Sequence, residues 1–144
     1  MSDRLERFRA AQGEDYQIAL QEMKAGRKRN HWMWYIFPQL AGLGNSGMAQ
    51  YYAIEDLEEA KAYMEDSVLG QHLIEISQAL LETDSDDALA VMGWPDNLKL
   101  KSSMTLFELA KPECEVFGKV LDKFYQGERD ERTIELLEKS EGFI

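Results

Sequence analysis

Between Arg27 and Gln39 the chain reads Arg-Lys-Arg-Asn-His-Trp-Met-Trp-Tyr-Ile-Phe-Pro-Gln. Trp32 to Phe37 is apolar at every position, so no face of this stretch can be turned to water without wetting large rings. The rest of the chain must therefore close around it. On a helix, Met33, Phe37 and Leu40 share one side, His31, Trp34, Tyr35 and Pro38 another, and Trp32 and Ile36 a third. The pattern predicts a central core helix, capped by Asn30 and ended by Pro38, whose aromatic rings serve first as packing mass. The apolar run is six residues long, far short of the ~20 that a membrane span needs.

Helical spacing recurs along the remainder. Asp3 is placed to cap a first short helix carrying Leu5 and Phe8, with Gly13 as a break or kink. Tyr16, Ala19, Leu20 and Met23 then mark a face that closes at Gly26. Gly42, Gly44 and Gly47 make a turn-rich loop, and Ser46 or Gly47 begins a short element through Tyr51. Glu55 to Tyr63 reads as an acidic helix. Ser67 would cap the next, in which Leu69, Leu73, Ile76 and Leu80 align. Asp84 or Ser85 would cap a brief helix up to Met92, closed by Gly93. Pro95 suits a first turn, after which Leu100, Met104 and Phe107 line one face. Val116, Phe117, Val120, Leu121, Phe124 and Tyr125 repeat apolar pairs every four residues. Gly127 ends that helix and Asp130 caps a last one. No alternating run reaches six residues, and the hairpin dipeptides Asn-Gly and Asp-Gly are absent. The 144 residues are the size of one domain. The expectation is an all-α fold over residues 1–144, a single compact orthogonal bundle of about eight helices, several of them short.

Charge narrows the partners. Sixteen Lys and Arg against 27 Asp and Glu leave a net −11, which repels phosphate backbones and anionic membrane surfaces alike and argues against non-specific nucleic-acid binding. A single cysteine, Cys114, precludes an internal disulfide and any multi-thiolate zinc site. Its neighbours Glu113 and Glu115 oppose thiolate formation. The carboxylates at Glu55 to Glu59 and Asp84 to Asp87 lack histidines at ligating spacing and the register of a calcium loop, so neither metal nor cofactor is expected. The charged N-terminal residues do not resemble a secretory signal, which points to the cytoplasm.

Against this acidic background, residues 24–29 hold four positive charges and no negative one. Such runs are usually solvated, but on an acidic body a local positive spot also admits a small anion. Arg29, Lys99 and Lys101 are candidates to meet the charge, and Trp34 or Tyr35 to stack. Gln39, Ser102 and Ser103 would fix orientation. The glycine loop holding Ser46 could present backbone amides, although it lacks the Lys-Ser/Thr ending of a P-loop. His31, at a helix start that disfavours the imidazolium, is the one proton-transfer candidate, with no located partner. His72 reads as a surface residue. Ser102 and Ser103, adjacent in mid-helix, would be explained by back-bonding or close packing as readily as by a polar pocket. Two functions fit. One is a small-ligand protein, with or without a reaction, taking an anionic or nucleotide-like molecule near the His-Trp-Met-Trp helix. The other is an interaction module without catalytic activity, whose acidic surface meets a basic protein partner that the sequence does not identify.

Several blocks carry a resemblance. Gly26-x-Lys28-x-x-His31-Trp32-Met33-Trp34-Tyr35-Ile36-Phe37-Pro38-Gln39 is followed by Gly42-Leu43-Gly44-x-Ser46 and Leu69-Gly70. Asp96-x-Leu98-Lys99-Leu100-x-Ser102-Ser103-Met104-Thr105-Leu106-Phe107 comes next, then Gly127-x-x-Asp130-x-x-Thr133. Together they resemble the bacterial family catalogued as domain of unknown function 1810. The resemblance implies a compact, wholly helical domain and no particular activity. Ser67 stands where that family tends to have proline.

Overall fold

The structure is a computed structural model that describes residues 4–140, so Asp3 as a cap lies outside the described residues. Nine helices occur among those residues, and no strand beyond one isolated parallel bridge between Leu40 and Ile54. The first departs from expectation. Helix α1, Glu6–Ala25, runs unbroken through Gly13. A Cβ at Gly13 would meet nothing within 4 Å, so this glycine sits on the wet face and weakens the helix without bending it. The buried face, Phe8, Gln12, Tyr16, Ala19 and Met23, recurs every three or four residues over the full length. Gly26, at φ 80°, ends it by returning its N–H to Glu22 and Met23 carbonyls.

The aromatic stretch is interior but is not a rod. Helix α2, Met33–Ile36, is a single turn. Asn30 does not cap it, and Pro38 drives Phe37 out of the helical region, to φ −122° and ψ 74°. The chain then runs extended, fixed by Ala41 N–H to the Ile54 carbonyl at 2.8 Å and Ile54 N–H to the Gln39 carbonyl at 2.8 Å. Burial of this stretch is as anticipated, for Trp32, Met33, Ile36 and Phe37 are each 2% exposed or less.

The central position belongs to α7, Asp96–Ala110, where every residue from Ser102 to Phe107 is buried. Around it stand α4 (Leu57–Glu65), α6 (Ala88–Met92), α8 (Val116–Tyr125) and α9 (Glu131–Ser140), while α5 (Leu69–Glu82) joins α1, α4 and α8. Aromatic rings link four of these elements. Phe8 meets Tyr63 edge-on at 5.2 Å, Tyr63 lies 5.1 Å from Phe107, and Phe107 lies 6.1 Å from Phe117. Lys123 reaches from α8 to donate to the Leu80, Leu81 and Thr83 carbonyls, closing the C-terminal end of α5.

Caps explain the element starts. Ser46 accepts from Ala49 N–H to open α3, Gly47–Tyr51, and Asp56 opens α4. Two anticipated caps are replaced by neighbours. Asp66, not Ser67, accepts from Val68 and Leu69 N–H ahead of α5, and Asp87, not Asp84 or Ser85, accepts from Leu89 and Ala90 N–H. Asp66 puts a carboxylate where a hydroxyl was expected, which the helix dipole favours, and Asp87 caps because α6 begins only at Ala88. Because Gly13 lies mid-helix with open space beside it, Gly13→Ala is expected to stabilise the protein by about 0.5–1 kcal/mol, read as a higher urea midpoint at unchanged slope.

Candidate functional site

The loop from Arg27 to Trp32 leaves α1 through left-handed Gly26 and would be free to wander were it not for Glu22. This carboxylate is 9% exposed. Its Oε1 accepts from Arg29 N–H at 2.8 Å, Asn30 N–H at 3.1 Å and the Trp32 indole N–H at 2.8 Å, and its Oε2 accepts from the Asn30 side-chain amide. Burial pushes this carboxyl upward, but the donors from Arg29, Trp32 and Asn30 together hold it below the ordinary carboxylate range. Asn30 therefore spends its side chain on Glu22 rather than on a helix cap. Lys28 completes the framework, with its N–H on the Val91 carbonyl at 2.7 Å and its Nζ 2.8 Å from Asp96 Oδ2. The Arg27, Arg29 and His31 side chains are left exposed.

Two hollows adjoin each other, and the smaller of them borders this loop. The larger, about 580 Å³, is bounded by Gln39, the glycine loop through Ser46, the first turns of α7 with Lys99 and Ser102, and Asp130 with Arg132. The smaller, about 390 Å³, is bounded by Arg29, His31, Trp34, Trp94 and Lys99. Both volumes are of the size that small-molecule sites have. Lys99 and Pro95 form part of both walls. The Lys99 ammonium sits 5.5 Å from the centre of the Trp34 ring and 3.6 Å from Asp96 Oδ1.

Hydroxyls and a carboxylate organise the far wall. Ser102 Oγ lies 3.0 Å from Asp130 Oδ2 and 3.2 Å from the Leu98 carbonyl. Asp130 Oδ2 also accepts from Thr133 N–H at 3.1 Å and Thr133 Oγ at 2.5 Å, which makes Asp130 the cap of α9 as its sequence position suggested. Thr105 Oγ donates to the Lys101 carbonyl at 2.8 Å and accepts from Asp130 N–H at 2.9 Å. The hydroxyl-rich stretch of α7 is thus partly spent on tying α9 to the core, and Ser102 alone of the adjacent serines reaches the hollow.

The structure brings Gln39, Ser46, Lys99 and Ser102 to one hollow and Arg29, His31, Trp34 and Lys99 to the other. His31 and the serine hydroxyls do not share a wall. Three residues grouped with them by sequence lie elsewhere. Tyr35 is buried against Tyr52 and donates to Asp15 on α1, its hydroxyl pushed upward by that burial and then by Asp15. Lys101 turns towards Glu128, 3.3 Å away. Ser103 is fully buried, its Oγ without a partner among the described residues.

His72, expected at the surface, is half-buried. Its ring stacks on Tyr16 at 3.6 Å and 5°, and Nδ1 lies 2.8 Å from Gln12 Oε1. Burial pulls its pKa down in spite of Glu75 and Asp66 nearby. Gln12 in turn donates to the Tyr35 carbonyl and to the Tyr63 hydroxyl. Sequence reasoning also passed over Glu22, Trp94, Asp130 as a wall residue, and Arg132. Glu22 had a legible signal, being a carboxylate that interrupts the Ala19–Met23 apolar stripe. Arg132 had none, because only the turn after Gly127 brings it opposite the glycine loop.

The family model described as Protein of unknown function (DUF1810) matches residues 2–137. No curated protein matches the chain. Among solved structures, the crystal structure of the conserved hypothetical protein Rv1873 from Mycobacterium tuberculosis is similar at a TM-score of 0.90 and 45% identity, covering 92% of this chain and 95% of that one.

Glu22→Gln is expected to lower stability by about 2–4 kcal/mol, since charge-assisted bonds are lost and an amide N–H₂ is set against donors. Because the folded protein holds the Glu22 carboxyl low, its contribution is complete above the ordinary carboxylate range. It is lost as pH falls from about 4.5 through the folded-state value. Urea denaturation across that interval should therefore fall less steeply for the variant than for the parent.

Proposed function

Since the chain belongs to the family described as Protein of unknown function (DUF1810), which supplies no activity to transfer, we propose from its own geometry that it binds a small anionic ligand across the Lys99 wall. One observation carries this. On a protein of net −11, Arg29, Lys99 and Arg132 converge on two adjoining hollows. Elsewhere arginines are held by carboxylates, as Arg4 is by Glu55, Arg9 by Asp66 and Arg129 by Glu108. The Arg29 and Arg132 guanidinium groups meet no carboxylate among the described residues. Arg27 is likewise unpaired, but it borders neither hollow. Lys99 keeps Asp96 beside it at 3.6 Å, but Arg29 and Arg132 are open, and open cations at a concave, partly walled site attract an anion more strongly than the same cations on a flat surface, because field lines are focused and screening is reduced.

Gln39 and the Ser102 hydroxyl, on the larger hollow, are of the types that orient an oxyanion by hydrogen bonds. His31 borders the smaller hollow with no side-chain partner among the described residues, so nothing orients it for proton transfer. The proposal is therefore binding, with no reaction assigned. It also differs in outcome from an acidic interaction module, which would show no response to a small anion.

Isothermal titration with inorganic pyrophosphate at low salt tests it. Saturable binding is expected, with Lys99→Met weakening it roughly tenfold or more, the usual effect of losing one charge-assisted contact, and Lys24→Met leaving it unchanged. Absence of saturable heat, or a Lys99→Met protein of normal melting temperature that binds like the parent, would overturn it.

A further inference from the structure

Trp94 is the most exposed large apolar side chain of the described residues, at 74%. It borders the smaller hollow, together with Arg29, Trp34 and Lys99. Tryptophan is large and usually well covered, so a ring left this open beside the unpaired Arg29, and beside a Lys99 held by Asp96 at 3.6 Å, needs a reason. Loose backbone is not that reason. Gly93 N–H is bonded to the Leu89 carbonyl at 2.9 Å, and its own carbonyl accepts from Asn97 N–H at 2.9 Å. On the other side the Pro95 carbonyl accepts from Leu98 N–H at 3.0 Å and Lys99 N–H at 3.3 Å. Trp94 is thus anchored before and after, and its ring stands clear of a fixed turn.

The two indoles of this hollow differ in availability. The Trp34 face is taken by the Lys99 ammonium, 5.5 Å from the ring centre. Trp94 makes no ring–ring or cation–ring contact among the described residues. An open aromatic face beside Arg29 and a Lys99 shared with the larger hollow matches a molecule with two unlike ends, one planar and apolar on its faces, the other anionic.

Resting on the anion-binding proposal above, we infer that the ligand is a nucleotide whose base stacks on Trp94 while its phosphates lie against Lys99 and Arg29. Stacking needs only a π-face, so the ring of a purine or a pyrimidine satisfies Trp94 without any base-edge partner. The cations supply attraction and the indole supplies preference for a phosphate that carries a ring over one that does not.

The test compares ADP with inorganic pyrophosphate on the full chain, by titration calorimetry and by tryptophan emission. ADP is expected to bind at least roughly tenfold tighter than pyrophosphate, in keeping with the gain from one base–aromatic stack, and to quench emission. Trp94→Ala should abolish the quench and bring ADP to the affinity of pyrophosphate while leaving pyrophosphate itself unchanged. Trp94→Phe should keep most of the ADP advantage. Since Trp94 lies outside the core, a normal melting temperature is expected for both variants. Equal affinities for ADP and pyrophosphate in the parent, or an ADP advantage that survives Trp94→Ala, would overturn this inference and leave anion binding standing. Failure of both molecules to bind would overturn the two together.

Discussion

A single carboxylate decides the geometry around the aromatic segment. Glu22 lies on the buried side of α1 and takes donors from Arg29, Asn30 and Trp32. A buried charge is tolerated only when its lone pairs are filled, and here the loop that follows the helix fills them. The arrangement is reciprocal. The loop's N–H groups would otherwise lack acceptors, and Trp32 could not bury its indole, 1% exposed, without placing its N–H. Fixing that ring also fixes the one-turn α2 behind it, the Leu40–Ile54 bridge beyond, and the outward direction of Arg29 and His31.

From this follows a division of labour among the polar residues. Those nearest the core are consumed in holding elements together: Gln12 joins α1 to Tyr63 and His72, Asp130 joins α7 to α9, and Lys123 closes α5. One layer out, Lys28 and Lys99 pair with Asp96 and Asn30 serves Glu22, while the Arg29, His31 and Arg132 side chains are left over. The contrast within one short stretch is instructive. Ser102 lies at the hollow, Ser103 is wholly interior, and Thr105 serves the neighbouring helix start. Helical rotation of ~100° per residue is enough to send adjacent hydroxyls to three different tasks.

Period and capping chemistry are local, and those parts of the fold were legible beforehand. The all-helical class, the α8 face from Val116 to Tyr125, the stop at Gly26 and the cap at Asp130 all follow from residues a few positions apart. Where local signals competed, sequence could not arbitrate. Gly13 looked like a break because its open surroundings are a tertiary fact. Asn30 looked like a cap because the pull of Glu22 depends on how the loop folds back. Tyr35 and Trp34 are neighbours of similar chemistry, yet one turns inward to Asp15 and the other outward to Lys99. Burial of the aromatic segment was legible, but not that it contains only one turn of helix, since Pro38 and the irregular loop leave no room for more. His72 reads as a surface residue because the partners that half-cover it, Gln12 and Tyr16, lie 60 and 56 residues away along the chain.

The larger hollow is walled by three stretches remote along the chain, residues 39–46, 95–102 and 130–132. Each by itself is a loop, a helix start and a capping turn, with no concavity of its own. Only when α7 has been enclosed and α9 has docked through Asp130 do the three face one another. A polypeptide cut between any two of them would lose the cavity outright, however helical the pieces stayed. The cavity is therefore a property of the whole fold and of none of its parts.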